Sequence, residues 1–365
     1  MPSDLLVQRS LMGKMASAGR GLKSAAEGAG RAVGKAAKAV KSGVAGVAEK
    51  FHRSDFNDLN ATQYLVSSGG LIEAIDRDPD TGVYYKTGSV TRGDGDRPTV
   101  VPYDAVQPMP DGWLPTVTHI NGMMVKPNSG LGSAIRLQQE LERAGADGAL
   151  LAADVPQVLY TYSAHRGFVT DLAECIWGKL YQDDDATDRQ TQIMLDAVAN
   201  QHRTTVSAHS RGTIKTDNAV RNAHAEISRG HFDAGLTDPA VIASARDAAR
   251  AADTGLGLSP AMLEHVYVRL FAQERADRVA TEQMDRYVQL IYAGNAVQFP
   301  SAAVNLNLVV AGSDPVTITV GKYFRLAKGS KTKMTDVEGG HGFNSNYAGT
   351  VADLIIADLK AHTTP

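Results

Sequence analysis

The sequence predicts an α/β fold, a mainly parallel sheet flanked by helices on both faces. Two observations predict it. From Thr116 onward, apolar β-branched runs alternate with segments of helical period, and strand–helix alternation marks a parallel sheet covered by helices. The chain is also long enough, at 365 residues and 43% hydrophobic, to bury the core such a sheet requires.

In chain order, residues 1–51 stand apart as a basic Gly/Ala-rich leader. Between Met12 and Lys50 there are eight Lys/Arg and two Glu, so 8 − 2 = +6. Apolar positions such as Leu11, Met15, Leu22, Val33, Val40, Val47 and Phe51 lie on a narrow amphipathic stripe. Glycines interrupt it, each costing ~1 kcal/mol against Ala in a helix interior. The segment is expected to be disordered or marginally helical alone and to fold on a surface. An anionic membrane, a partner helix or an export chaperone, engaged through residues 11–51, would each serve. A solvated basic leader is the bland alternative, and the composition also resembles an Arg/Lys-rich transit peptide.

Residues 52–365 read as one catalytic-sized domain. From about Phe56 to Pro115 the signals are strand and turn, with a hairpin over "GLIEAIDRDPDTGVYYKTGS". Its Asp76, Asp78, Asp80 and Gly82 mimic the start of a calcium loop, but Thr87 stands where the closing carboxylate would be. Turn chemistry is the expected role, since Asp, Pro and Gly are what such turns use. Strands follow at 116–123, 157–164, 203–209, 287–294, 303–313 and 331–340. Helices are expected at 132–145, 168–181, 187–200, 211–228, 259–284 and 348–362. Ser259 reads as an N-cap with Pro260 at the first helical position. The stretch from about 229 to 284 exceeds one strand–helix unit. It is expected to be a helical insertion, either a cap whose Met262, Leu263, Val266, Leu270 and Phe271 roof an acyl pocket or a pair packed on the sheet flank.

Global charge excludes little but points away from nucleic acid: the net charge is −3. Cys175 is the only cysteine, so no disulfide forms within the chain. No apolar run is long enough to span a membrane, and "MPSDLLVQRS" has no apolar signal core. The expectation is a cytoplasmic protein, or one exported without a signal peptide by a specialised bacterial secretion system. No cofactor or metal is expected. The acidic run Asp183, Asp184, Asp185 and Asp188 is read as a helix opening, and Cys175 as a core thiol.

Chemistry concentrates in "TTVSAHSRGT", residues 204–213. Ser210 stands between an apolar strand and a helix, with small residues, Ala208 and Gly212, two positions to either side. A nucleophile elbow needs that spacing, because larger side chains there would collide with neighbouring backbone. The Arg211 N–H at the start of the next helix could then stabilise an oxyanion. Ala-His-Ser-Arg-Gly resembles the G-x-S-x-G elbow of the α/β-hydrolase fold, with Ala for the first Gly. The resemblance spans roughly Thr116–His362 and implies a triad in the order serine, acid, histidine. Asp314 follows the strand "NLNLVVAGS", 314 − 210 = 104 residues on, and His341 lies in a Gly-rich loop before the last helix, 341 − 314 = 27 further. The resemblance implies a second oxyanion donor in the loop after "TVTHINGM", assigned to the Met123 N–H, with His119, Asn121 and Gly122 orienting that loop. His209 and His165 are expected to line the site.

"YVQLIYAGNAVQF" followed by "VVAGSDPVT" is similar to lipase class 3-type hydrolases. The layout of basic leader and lipase-like core resembles bacterial lipase effectors. The expected function is a serine hydrolase cleaving carboxylic esters, lipid or phospholipid acyl esters first. The alternatives are a small-molecule esterase, thioesterase or amidase, a non-catalytic hydrolase-fold interaction module, and a membrane-associating factor dominated by its leader.

Overall fold

A computed structural model describes residues 63–93, 95–122, 125–163, 185–252, 259–294, 305–311 and 333–363. The leader, the expected helix over 168–181, Cys175, His165, Asp183 and Asp184 lie outside them.

The strands are β1 (Gln63–Val66), β2 (Ile72–Arg77), β3 (Tyr84–Thr91), β4 (Thr99–Pro108), β5 (Val117–Ile120), β6 (Val158–Thr161), β7 (Thr204–His209), β8 (Val288–Ala293), β9 (Asn305–Ala311) and β10 (Lys333–Val337). They form a single sheet in the order β10-β9-β8-β7-β5-β6-β1-β2-β3-β4. From β6 to β10 every neighbouring pair is parallel. β1 runs antiparallel to β6 and opens a meander through β4. Every residue of β5, β6, β7 and β8 is buried, as parallel strands covered on both faces must be. β4 forms the other edge and is almost wholly exposed. It carries Pro102 and Pro108, residues that sheets tolerate at an edge.

The hairpin between β2 and β3 forms as expected, and Asp78 makes its turn. Its carboxylate accepts from the Asp80 and Thr81 N–H groups at 2.8 and 3.0 Å. Those bonds hold the carboxyl below its usual range. Asp76 accepts from Arg189 at 2.7 Å instead of joining a loop site. Turn chemistry accounts for this acidic spacing.

Helix α1 (Pro127–Asp147) and α6 (Ala348–Thr363) cover one face. Leu131, Leu137 and Leu141 meet Val351, Ile355 and Ile356 there. Full burial of each such side chain is worth ~1.5–3 kcal/mol. Helix α2 (Asp185–Ala199) and α3 (Arg211–Leu236) cover the other face, where Met194, Val220 and Ala223 pack on Val206, Ala208 and Leu290. Asp185 and Asp188 stand in the first turn of α2, as a helix opening uses them. Two part-buried ion pairs pin helices to the sheet. Arg203 forks onto Asp358 of α6 at 2.7 and 2.9 Å. Arg77 forks onto Asp196 of α2 at 2.8 Å for both bonds. Asp196 also accepts from Tyr84, whose hydroxyl is pushed up by burial.

The expected helix over 211–228 does not stop there: α3 continues to Leu236. No Pro interrupts it, and Gly230, whose position is open on its side, does not end it. Helix α4 (Pro239–Ala251) and α5 (Pro260–Tyr287) complete the insertion. Its placement decides between the two expected roles. At 1.5 Å per residue, 26-residue α3 is ~39 Å long, whereas six-residue β7 spans only ~20 Å. α3 starts at the carboxyl edge of the sheet and therefore overshoots the amino edge by about half its length. α5 runs antiparallel along that overhang. His224 meets Thr281 at 3.0 Å, Ser228 donates to Asp277 at 2.6 Å, and Gly235 lies against Ala272. α5 then passes directly into β8, whose Val288 pairs with Thr204 at the amino edge. The insertion is thus an arm at the end of the sheet opposite Ser210. The expectation that Met262–Phe271 roof an acyl pocket is overturned. No helix among the described residues is long and apolar enough to cross a membrane.

Candidate active site

Ser210 stands where an ordinary capping serine would, at the N-cap of α3. Ser210 follows the last residue of β7 and precedes α3. Its backbone sits at φ 52°, ψ −122°, a left-handed strain that a non-glycine residue adopts only where the surroundings impose it. The surroundings do impose it: the Ser210 N–H donates to the Ala293 carbonyl at 3.0 Å, and its own carbonyl accepts from the Thr213 N–H at 2.9 Å and hydroxyl at 2.6 Å. The side chain caps nothing. Its hydroxyl is buried and has no hydrogen-bond partner among the described residues. A buried hydroxyl left unsatisfied costs ~1–3 kcal/mol, which a fold tolerates where function uses it.

Steric demands around the elbow explain its small residues. A Cβ on Gly212 would stand 2.6 Å from the Asn121 carbonyl oxygen and 2.8 Å from that of Ile120. The first turn of α3 therefore rests directly on the end of β5. A Cβ on Gly122 would stand 2.8 Å from His209 Nδ1 and 2.9 Å from the Ser210 Cβ. Ala208 is fully buried on the α3 face. The three small residues thus let strand end, elbow and the loop after β5 approach within van der Waals contact. Ser210 thus stands at a tight strand-to-helix elbow on the carboxyl edge of a mainly parallel sheet.

Asn121 organises the loop after β5. Its amide donates to the Gly122 and Ser163 carbonyls at 3.0 and 3.1 Å. Its oxygen accepts from Tyr160 at 2.9 Å and from the Ser163 N–H at 2.8 Å. All of its hydrogen-bonding capacity is used, three of the four bonds tying the end of β5 to that of β6. Met123 lies outside the described residues. The Arg211 N–H belongs to the first turn of α3, where helical N–H groups lack intrahelical acceptors. The Arg211 side chain is buried and turned to Ser163, whose hydroxyl accepts from it at 2.8 Å.

His119 lies one layer below. Its Nδ1 is 3.1 Å from the Ser207 hydroxyl, and its ring sits 4.5 Å from Phe343 and 6.0 Å from Tyr160. Burial, with a smaller contribution from neighbouring His209, depresses its pKa to about 3, so it is neutral at physiological pH. Its described contacts are to Ser207, Phe343 and Tyr160, a place from which it supports the strand end. His341 is on the carboxyl side of β10, in the turn before the π-helical Phe343–Tyr347. Its ring is 4.8 Å from that of His209, the residue preceding the serine. The structure thus brings Ser210, His209, His341, Gly122 and the Arg211 N–H to one edge of the sheet. Asp314 lies outside the described residues.

Three contributors were not singled out from sequence: Tyr160, Ser163 and Phe343. Ser163 carried a weak signal, since "YSAHRG" at 162–167 echoes "VSAHSRG" at 206–212.

No protein-family model matches this chain, and no curated protein matches it. Among solved structures it is similar to Est1E from Butyrivibrio proteoclasticus, at 12% identity, 83% of this chain, 98% of that chain and TM-score 0.28. It is similar to a Pyrobaculum calidifontis esterase at 13% identity, covering 84% and 85% of the two chains with TM-score 0.35. A thioesterase domain from the curacin biosynthetic pathway matches at 13% identity over 79% and 99%, TM-score 0.30. These likenesses are distant, and the site stands on its own geometry.

Proposed function

We propose that this chain is a serine hydrolase cleaving carboxylic esters through Ser210, His341 and Asp314. One observation carries the reading: Ser210 is held in strained backbone at the head of α3 with a buried hydroxyl that neither caps the helix nor bonds any described group. A turn serine would satisfy its hydroxyl. In the proposed reaction, Ser210 Oγ attacks the acyl carbon as His341 takes its proton. Asp314 orients the imidazole and stabilises its cation. The carbonyl oxygen, now an anion, is held by the Arg211 and Met123 N–H groups. The tetrahedral carbon then expels the alcohol, which leaves with the proton from His341. Water repeats the sequence on the acyl-enzyme and releases the acid.

Lipid acyl esters are the proposed substrate class, with the basic leader 11–51 bringing the enzyme to anionic membrane surfaces. Its +6 charge between Met12 and Lys50 supports this. The test is fluorophosphonate labelling of the full-length protein, comparing wild type with Ser210→Ala and His341→Ala. Wild type is expected to label and both variants to lose labelling. A folded wild type that stays unlabelled, with and without detergent micelles, overturns the reading. Deleting residues 1–51 should abolish binding to anionic vesicles and spare hydrolysis of soluble esters. Unchanged vesicle binding would refute the role of the leader.

A further inference from the structure

We infer that His209 is a positioning residue, the tie that sets His341 against Ser210; this rests on the serine-hydrolase reading above. His209 is covalently next to the nucleophile. Its ring leaves β7 on the face opposite α3, the same face as Ser207 and His119. There its Nε2 lies 2.9 Å from the backbone carbonyl oxygen of His341. A carbonyl can only accept, so Nε2 carries a proton and donates it. The ring is also packed 5.5 Å from Phe343 and 5.8 Å from Tyr347, the first and last residues of the π-helical turn after His341. On its other edge, Nδ1 lies so close to Gly122 that a Cβ there would approach it to 2.8 Å.

One imidazole therefore spans three separate pieces of the proposed machinery. It is bonded to the nucleophile through the chain, to the loop of the base through a hydrogen bond, and to the oxyanion loop through direct contact. The base loop needs such a tie. Residues 338–342 are exposed or half-exposed, so burial does little to hold them. Asn346 donates to the Gly340 carbonyl at 2.9 Å and its N–H to Gly342 at 3.1 Å, but both bonds are internal to the loop. The His209 bond instead connects the loop to the sheet, across a sequence separation of 132. His119 supports the arrangement from below. Buried and neutral, it places no charge under His209.

Misplacing a general base by ~1 Å is enough to cost ~10²-fold in rate. The test uses the full-length protein with His209→Gln, His209→Asn and His209→Phe. The Gln amide nitrogen reaches about where Nε2 stands, the Asn nitrogen does not, and Phe keeps the ring without the donor. Wild type and Ser210→Ala are run beside them. Four readouts are taken: fluorophosphonate labelling rate, kcat and KM on p-nitrophenyl acetate, the pH profile of kcat/KM, and hydrogen exchange of the segment 338–347.

His209→Asn and His209→Phe are expected to lose roughly 10–100-fold in labelling rate and kcat with KM within about 3-fold, the pattern of a lost transition-state arrangement. Their pH profiles shift, and exchange in 338–347 rises. His209→Gln is expected to stay within about 3-fold of wild type, with wild-type exchange. If His209→Phe fails to fold, the Gln and Asn pair, equal in polarity and different in reach, still decides, and if His209→Asn fails, the Gln and Phe pair does. Labelled wild type with folded Asn and Phe variants reacting at the wild-type rate overturns this inference alone. So does a Gln variant as slow as Asn. An unlabelled wild type overturns the serine reading and this inference with it.

Discussion

Helices α3 and α5 both begin after a serine, Ser210 and Ser259, and the two starts differ in every physical respect. Ser259 has extended backbone at φ −68°, ψ 151°, and its hydroxyl accepts from the Met262 N–H at 3.3 Å, with Pro260 next. It does what sequence rules expect of a cap. Ser210 has left-handed backbone, no capping bond and a buried, unsatisfied hydroxyl. One serine lowers the energy of its helix, and the other is held at a cost by packing around it. A rule broken at one helix start and kept at the other, within a single chain, points to the first as the place where function resides.

The largest expected effect follows from exchanging the two serines' side chains for methyl groups. Ser210→Ala should lower ester hydrolysis by at least about 10⁴-fold. Its melting should stay near wild type, since no described hydrogen bond is removed. Ser259→Ala should leave turnover unchanged and lose about 1 kcal/mol of stability in urea unfolding. A Ser210→Ala variant that melts far lower would show a structural serine and break the contrast.

Glycines of α3 repeat the contrast along one helix. Gly212→Val places a Cβ 2.6 Å from a carbonyl oxygen and should cost about 1–3 kcal/mol together with activity. Gly230→Ala has nothing within 4 Å and should gain roughly 0.5–1 kcal/mol. Denaturant midpoints of the two variants measure both.

His119 sharpens the comparison through pH. Its folded pKa of about 3 is below the ordinary 6.5, so the unfolded chain takes up the proton first. Its contribution is fully present above pH 6.5 and is lost as pH falls toward 3, on the order of 1 kcal/mol per pH unit. Stability of His119→Phe measured from pH 7 to 4 should fall less steeply than wild type. An equal slope would mean that His119 titrates normally. The smallest effect is expected on the arm: Val266→Ser, at 50% exposure, should change stability by no more than about 0.5 kcal/mol and turnover not at all.

Much of the fold was legible because its signals are local. Continuous apolar runs marked β7 and β8 within a residue at each end and β5 within three, and Ser259-Pro260 marked the start of α5. Ala208, Ser210 and Gly212 showed an elbow because its sterics act over five residues. Where α3 ends was not legible, since the Gly230 that follows Ser228 does not end the helix and packing on α5 carries it to Leu236. The sequence by itself determined the alternation of strands and helices, the elbow and the chain order of candidate site residues. Only the tertiary structure decided that the insertion points away from Ser210, that Asn121 ties β5 to β6, and that His209 meets the His341 loop. Periodicity and capping depend on neighbours a few residues apart. Those three outcomes depend on which residues the fold brings together from 42, 84 or 132 positions away, as with Asn121 and Ser163, Thr204 and Val288, and His209 and His341.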